Sequence, residues 1–195
     1  MHTTFLTRGL IVFLLLSGSL ACQKAANIVD DVAHPNTPSS SVPDEIANKV
    51  WFTGTLSAIS FFDRDGHHLG NDHEAGREFQ FYEDEKGNGR IKFWQYLGMR
   101  NFSSCVTEIY TYKEGTVVFE GQTFTFYPIA GHFRTVKDKC ATGNGTTTRP
   151  TTAEDLVPTT YRWALQDLDG SPHLYTYDKE DVNHENPLFV YAIGE

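Results

Sequence analysis

Gly115–Tyr127, GTVVFEGQTFTFY, decides the fold. Thr116–Glu120 is an apolar, β-branched run that suits a pleated, half-buried surface. Glu120-Gly121-Gln122 then interrupts it, with a glycine free to take the positive φ that a tight connection demands. From Thr123 to Tyr127, threonines alternate with Phe124 and Phe126, a period of two that puts both rings on one face. Two short strands joined by a glycine turn predict an antiparallel hairpin.

The same pattern runs outward in both directions. Strands are predicted at Trp51–Phe62, Arg77–Tyr82, Arg90–Leu97, Ser104–Tyr112, Thr116–Glu120, Thr123–Tyr127, Gly131–Val136, Thr160–Gln166, His173–Tyr177 and Leu188–Ile193. Phe79 and Phe81 alternate with Glu78, Gln80 and Tyr82, and Tyr161, Trp163 and Leu165 with Arg162 and Gln166. Glu85–Gly89, Glu114-Gly115, Glu120–Gln122 and Asp167–Gly170 are predicted hairpin turns. Consecutive hairpins build a meander, and eight to ten strands are expected to close into an all-β, up-and-down, lipocalin-like barrel, because closure removes unpaired edges. A two-sheet sandwich is the alternative. The one helical signal is a turn at Thr152–Leu156, capped by Thr151 or Thr152 and stopped by Pro158. No βαβ pattern occurs, which excludes a Rossmann-type nucleotide site.

The chain has 195 residues, 14 Phe, 9 Tyr and 3 Trp, enough apolar bulk for one core. Its formal charge is −9, which opposes binding to nucleic-acid phosphates. Residues 1–21 read as a signal peptide, with Arg8 before the apolar Gly9–Leu16 and small residues from Ser17 to Ala21. That apolar run is about half the ~20 residues a spanning helix needs. Ser19-Leu20-Ala21-Cys22 approaches the bacterial lipobox with its Leu one place late, so lipidation of Cys22 is expected and plain secretion is the competing route. Residues 22–46 include Asn36–Pro43, NTPSSSVP, and are expected to form a flexible tether ahead of a barrel domain at 47–195. An ordered arm packed on the domain is the alternative.

With Cys22 acylated, Cys105 and Cys140 remain, and an exported β domain is expected to pair them. That bond closes a loop of about 35 residues and contributes about 3.5–4 kcal/mol in the chain-entropy model. Asp63–Glu74, DRDGHHLGNDHE, gathers three histidines among carboxylates. It lacks the EF-hand register, a His-x-His step and HExxH, so a solvated loop is expected and no metal or cofactor. No Gly-x-Ser-x-Gly elbow or other catalytic motif occurs, and a non-enzymatic protein is expected. Trp51, Phe93, Trp94, Tyr96, Tyr110, Tyr112, Trp163, Tyr175, Tyr177 and Tyr191 fall on predicted strands. Several lie opposite the core face, where they complete the core, line a barrel for an apolar ligand or stack on sugar.

Phe61–Phe81, Gly115–Cys140 and Arg149–Tyr177 together resemble a family of uncharacterised lipocalin-like, calycin-type lipoproteins of Bacteroidota. The Gly-x-Trp opening of lipocalins has no glycine counterpart before Trp51, and the last predicted strand carries no Arg. The resemblance implies a monomeric binding module anchored to the outer membrane by lipid on Cys22, on the periplasmic or cell-surface side. Its expected partner is a small apolar ligand inside the barrel. The alternative is an envelope interaction domain that contacts glycan or protein through its surface and loops. Mass spectrometry of the protein from membranes is expected to find acyl chains on Cys22; an unmodified thiol there would leave plain secretion.

Overall fold

The structure, a computed structural model, describes residues 37–55, 73–101 and 104–194. Cys22 and most of the Asp63–Glu74 cluster lie outside them. Among the described residues nine strands follow in order: β1 (Val50–Thr55), β2 (His73–Glu83), β3 (Gly89–Arg100), β4 (Val106–Glu120), β5 (Thr123–Asp138), β6 (Gly145–Pro150), β7 (Thr159–Leu168), β8 (Ser171–Asp178) and β9 (Pro187–Ile193). All pairings are antiparallel, in the order β4-β3-β2-β1-β9-β8-β7-β5-β6, and β4 also pairs with β5. That added pairing closes eight strands into a ring, with β6 lying outside it along the C-terminal half of β5. The expected all-β barrel is therefore the architecture.

Alternation selects the interior as the sequence predicts. Trp51, Phe79, Phe81, Ile91, Val117, Phe124, Leu174 and Tyr191 are all essentially inaccessible to solvent. Phe79 shows how the middle is filled: its ring lies 5.2 Å from Phe93, 5.3 Å from Tyr191 and 6.0 Å from Phe124. Side chains from β2, β3, β5 and β9 thus meet across the barrel, and each aromatic contact adds about 0.5–1.5 kcal/mol beyond burial.

One expected turn and one expected break between strands become continuous strand. Glu114-Gly115 does not turn, because Ser104–Tyr112 and Thr116–Glu120 belong to one strand, β4. Likewise Thr123–Tyr127 and Gly131–Val136 are one strand, β5, bent where Ile129 is left out of register between the pairs Glu114↔Ala130 and Gly115↔Pro128. Gly115 serves this bulge rather than a turn: a Cβ there would sit 2.0 Å from the Tyr127 carbonyl oxygen. Short polar β6 carries too little apolar signal to be predicted. The helical signal is a 3-10 turn at Ala153–Asp155, with Thr152 at its N-cap.

The described end of the expected tether is not a free spacer but a packed arm. Ser40 knits two strands together: its N–H donates to Val117 O (3.1 Å), its carbonyl accepts from Gly89 N (2.7 Å) and its Oγ accepts from Phe119 N (2.8 Å). Val42 N donates to Glu83 Oε1 at 2.8 Å. Val42 and Ile46 are buried in the core, and the Ile46 carbonyl accepts the Trp51 indole N–H at 3.1 Å. The serine- and proline-rich composition hid these two apolar residues, whose burial contributes about 1.5–3 kcal/mol each. The arm plugs the barrel end that holds the β2–β3 and β4–β5 turns. Ile46→Ala is expected to lower unfolding stability by about 2–5 kcal/mol in a denaturant titration. A shift within about 0.5 kcal/mol is what a free spacer would give.

Candidate functional site

Rings pack the middle of the barrel, and a broad hollow lies on its outside wall. β3 directs Ile91, Phe93 and Gln95 inward and therefore Trp94 and Tyr96 outward; β4 directs Thr111 and Lys113 inward and Tyr110 and Tyr112 outward. Strand register then assembles two rows that run across the sheet. One is Phe52, Glu78, Trp94, Tyr112 and His132; the other is Gly76, Tyr96, Tyr110 and Arg134. Between them lies an open groove of about 640 Å³. Its floor is the backbone of Arg77, Gln95 and Thr111, whose side chains point the other way.

The rows are held by contacts between neighbouring strands. Ring centroids lie 5.3 Å apart for Trp94 and Tyr112, 5.3 Å for Tyr112 and His132, and 5.1 Å for Tyr96 and Tyr110. The Arg134 guanidinium sits 4.4 Å from the Tyr110 ring centre, within cation–π range. Tyr112 donates its hydroxyl to Glu114 Oε2 (2.5 Å) and Tyr110 to Glu108 Oε2 (3.3 Å), so both phenols are oriented. Burial raises the Glu78 carboxyl above its ordinary range. Burial also raises the Tyr96 phenol, and the carboxylates of Glu108 and Glu74 push it further.

A smaller hollow of about 240 Å³ opens on the inner side of the same wall, between Arg77, Phe93, Gln95, Lys113, Phe133 and Tyr161. Inside it the Arg77 guanidinium lies 4.1 Å from the Phe189 ring centre and donates to Gln95 Oε1 at 3.3 Å. Arg149 lies over Phe133 and pairs with Asp155, while Lys113 Nζ donates to the Asp155 carbonyl, so the turn after β6 borders this hollow.

The other predicted site residues fall away from both hollows. Cys105 and Cys140 are brought to bonding distance, with Cα atoms 4.3 Å apart, tying the start of β4 to the chain after β5. Each half-loop is closed by an asparagine: Cys105 N donates to Asn101 Oδ1 and Cys140 N to Asn144 Oδ1. Among the described residues no group of three or more His, Cys, Asp or Glu is placed to hold a metal ion. Trp94, Tyr96, Tyr110 and Tyr112 stand out in the sequence; Phe52, Glu78, His132 and Arg134 do not, since only register makes them neighbours. The signal was aromatic-x-aromatic on two adjoining strands, out of phase with Phe93. Comparison with protein-family models, curated proteins and solved structures found no match for the chain.

Because the folded state holds the Tyr96 proton more tightly than the unfolded chain, its contribution to stability is complete below pH 10 and is lost as pH rises further. Spectrophotometric titration of the native protein at pH 10 is expected to give the same phenolate signal for wild type and Tyr96→Phe. A smaller signal in the variant would mean that Tyr96 ionises normally.

Proposed function

We propose that this chain is a non-enzymatic envelope lipoprotein, tethered through Cys22, whose outer barrel wall binds glycan. The paired aromatic rows beside a groove carry this reading. A sugar ring presents an apolar C–H face and a rim of hydroxyls, so it needs flat aromatic surface beside fixed hydrogen-bonding groups. Trp94, Tyr96, Tyr110 and Tyr112 supply the first; Glu78 and Arg134 stand beside them for the second.

Other partner classes fit less well. A peptide adds along a strand edge through unpaired backbone, whereas this groove crosses strands whose ladders are already complete. Single-stranded nucleic acid also stacks on aromatics, but the chain's charge of −9 and the carboxylates about the groove repel phosphate. The small ligand that the resemblance leads one to expect inside the barrel draws support from one feature. Arg77 makes no ion pair with a carboxylate among the described residues, and its hollow suits a small acid with an apolar body.

A glycan array probed with the purified domain is expected to show binding. Trp94→Ala and Tyr112→Ala should each weaken it at least tenfold, or about 1.4 kcal/mol, with unchanged circular dichroism. An empty array, or binding indifferent to both substitutions, would sink the glycan reading. Retention of a small acid by wild type and its loss in Arg77→Ala, followed by native mass spectrometry, would favour the inner hollow instead.

A further inference from the structure

We infer that the groove takes a linear, uncharged oligosaccharide of about three units, lying across the strands with its end against Phe52. This rests on the glycan reading and adds direction, length and charge to it.

Direction comes from the floor. Arg77, Gln95 and Thr111 are successive partners on β2, β3 and β4, so the strip of backbone they form runs perpendicular to the strands. The flanking rows differ by two positions along each strand and are therefore about 6.6 Å apart at their Cα atoms. The hollow is thus long across the strands and short along them, a shape suited to an extended chain lying on the rows rather than to one sugar dropped into a cup.

Length comes from the ends. On the β1 side the Phe52 ring leans over Gly76, where a Cβ would lie 3.3 Å from Phe52 Cε2. Gly76 is the position at which the second row has no side chain, and Phe52 fills that gap and stops the slot. On the other side the rows end at His132 and Arg134 on β5, both exposed. Beyond them β6 presents only Pro150 and Thr148 in the same rows, so this end stays open. From β2 to β5 there are three strand spacings, about 14 Å. At the 5.3 Å repeat of the aromatic row itself, that distance holds about three rings.

Charge comes from the polar groups at the slot. Glu78 lines it, and Glu108 and Glu114 are anchored beside it by Tyr110 and Tyr112. Arg134, the guanidinium on the wall, lies over the Tyr110 ring and is outnumbered by these three carboxylates. The carboxylates accept hydrogen bonds from sugar hydroxyls but repel uronate or sulfate groups, and the net charge of −9 adds to that repulsion at low salt.

The test is titration calorimetry of the full domain with neutral cello-, chito-, manno-, xylo- and laminari-oligosaccharides of one to six units, and with oligogalacturonates and alginate oligomers as acidic probes. In at least one neutral series each added unit up to three is expected to tighten binding about three- to tenfold, with a plateau beyond. Acidic oligomers should bind at least tenfold more weakly. Phe52→Ala should move the plateau to four units, a result that loss of folding cannot imitate. A monosaccharide that binds as tightly as its trimer, an acidic series that binds best, or a plateau unmoved by Phe52→Ala would overturn this inference and leave glycan binding intact. Silence from every series, neutral and acidic, would overturn both.

Discussion

The pairing of β4 with β5 along nearly their whole length is the interaction on which the rest depends. It joins Val106↔Asp138 at one end to Glu120↔Thr123 at the other and turns an open sheet into a ring. Ladders on both sides of β4 also bring Tyr110 and Tyr112 beside Trp94 and Tyr96 on β3, and beside His132 and Arg134 on β5. The barrel and the groove are thus consequences of one hairpin. Its register shifts at the bulge opposite Gly115, where two backbones approach so closely that no side chain fits. The disulfide fastens the far end of this hairpin, where β5 has run past β7 and pairs with β6 instead.

Filling the barrel with aromatic rings has a cost and a use. Phe79, Phe81, Phe124 and Tyr191 occupy the middle of the barrel, so the binding surface that remains is the broad groove on the wall and the smaller hollow behind it. On the wall itself, ring contacts between neighbouring strands and the hydroxyl bonds of Tyr110 and Tyr112 hold the aromatic side chains in place, and such fixing favours recognition by stacking because little side-chain freedom remains to be lost on binding. The packed arm from Ser40 to Ile46 ties β3, β4 and the core together at the closed end.

Much of this could be read in advance where a local rule carried the information. Period-two alternation marked the inward faces of β2, β5 and β7, and Gly87, Gly121 and Gly170 do take positive φ at hairpin connections. Those rules failed at Gly115, because a glycine that permits close approach looks the same in sequence as one that permits a turn. They failed again at Val42 and Ile46, because two apolar residues among serines and prolines carry no periodicity. Half of the groove was visible as outward aromatics on β3 and β4. The other half, Phe52, Glu78, His132 and Arg134, comes from three further strands.

By itself the sequence determined that the chain is antiparallel β, where most hairpins turn, which residues face inward, and that Cys105 and Cys140 are the pair left over once Cys22 is set aside. Tertiary structure alone decided that β4 and β5 are continuous, that the arm is a plug, and that side chains from five strands line a single groove. The physical reason is range. Alternation and turn preference act between neighbours in the chain, whereas strand register is set by closing the whole ring, and only register brings distant side chains into one row.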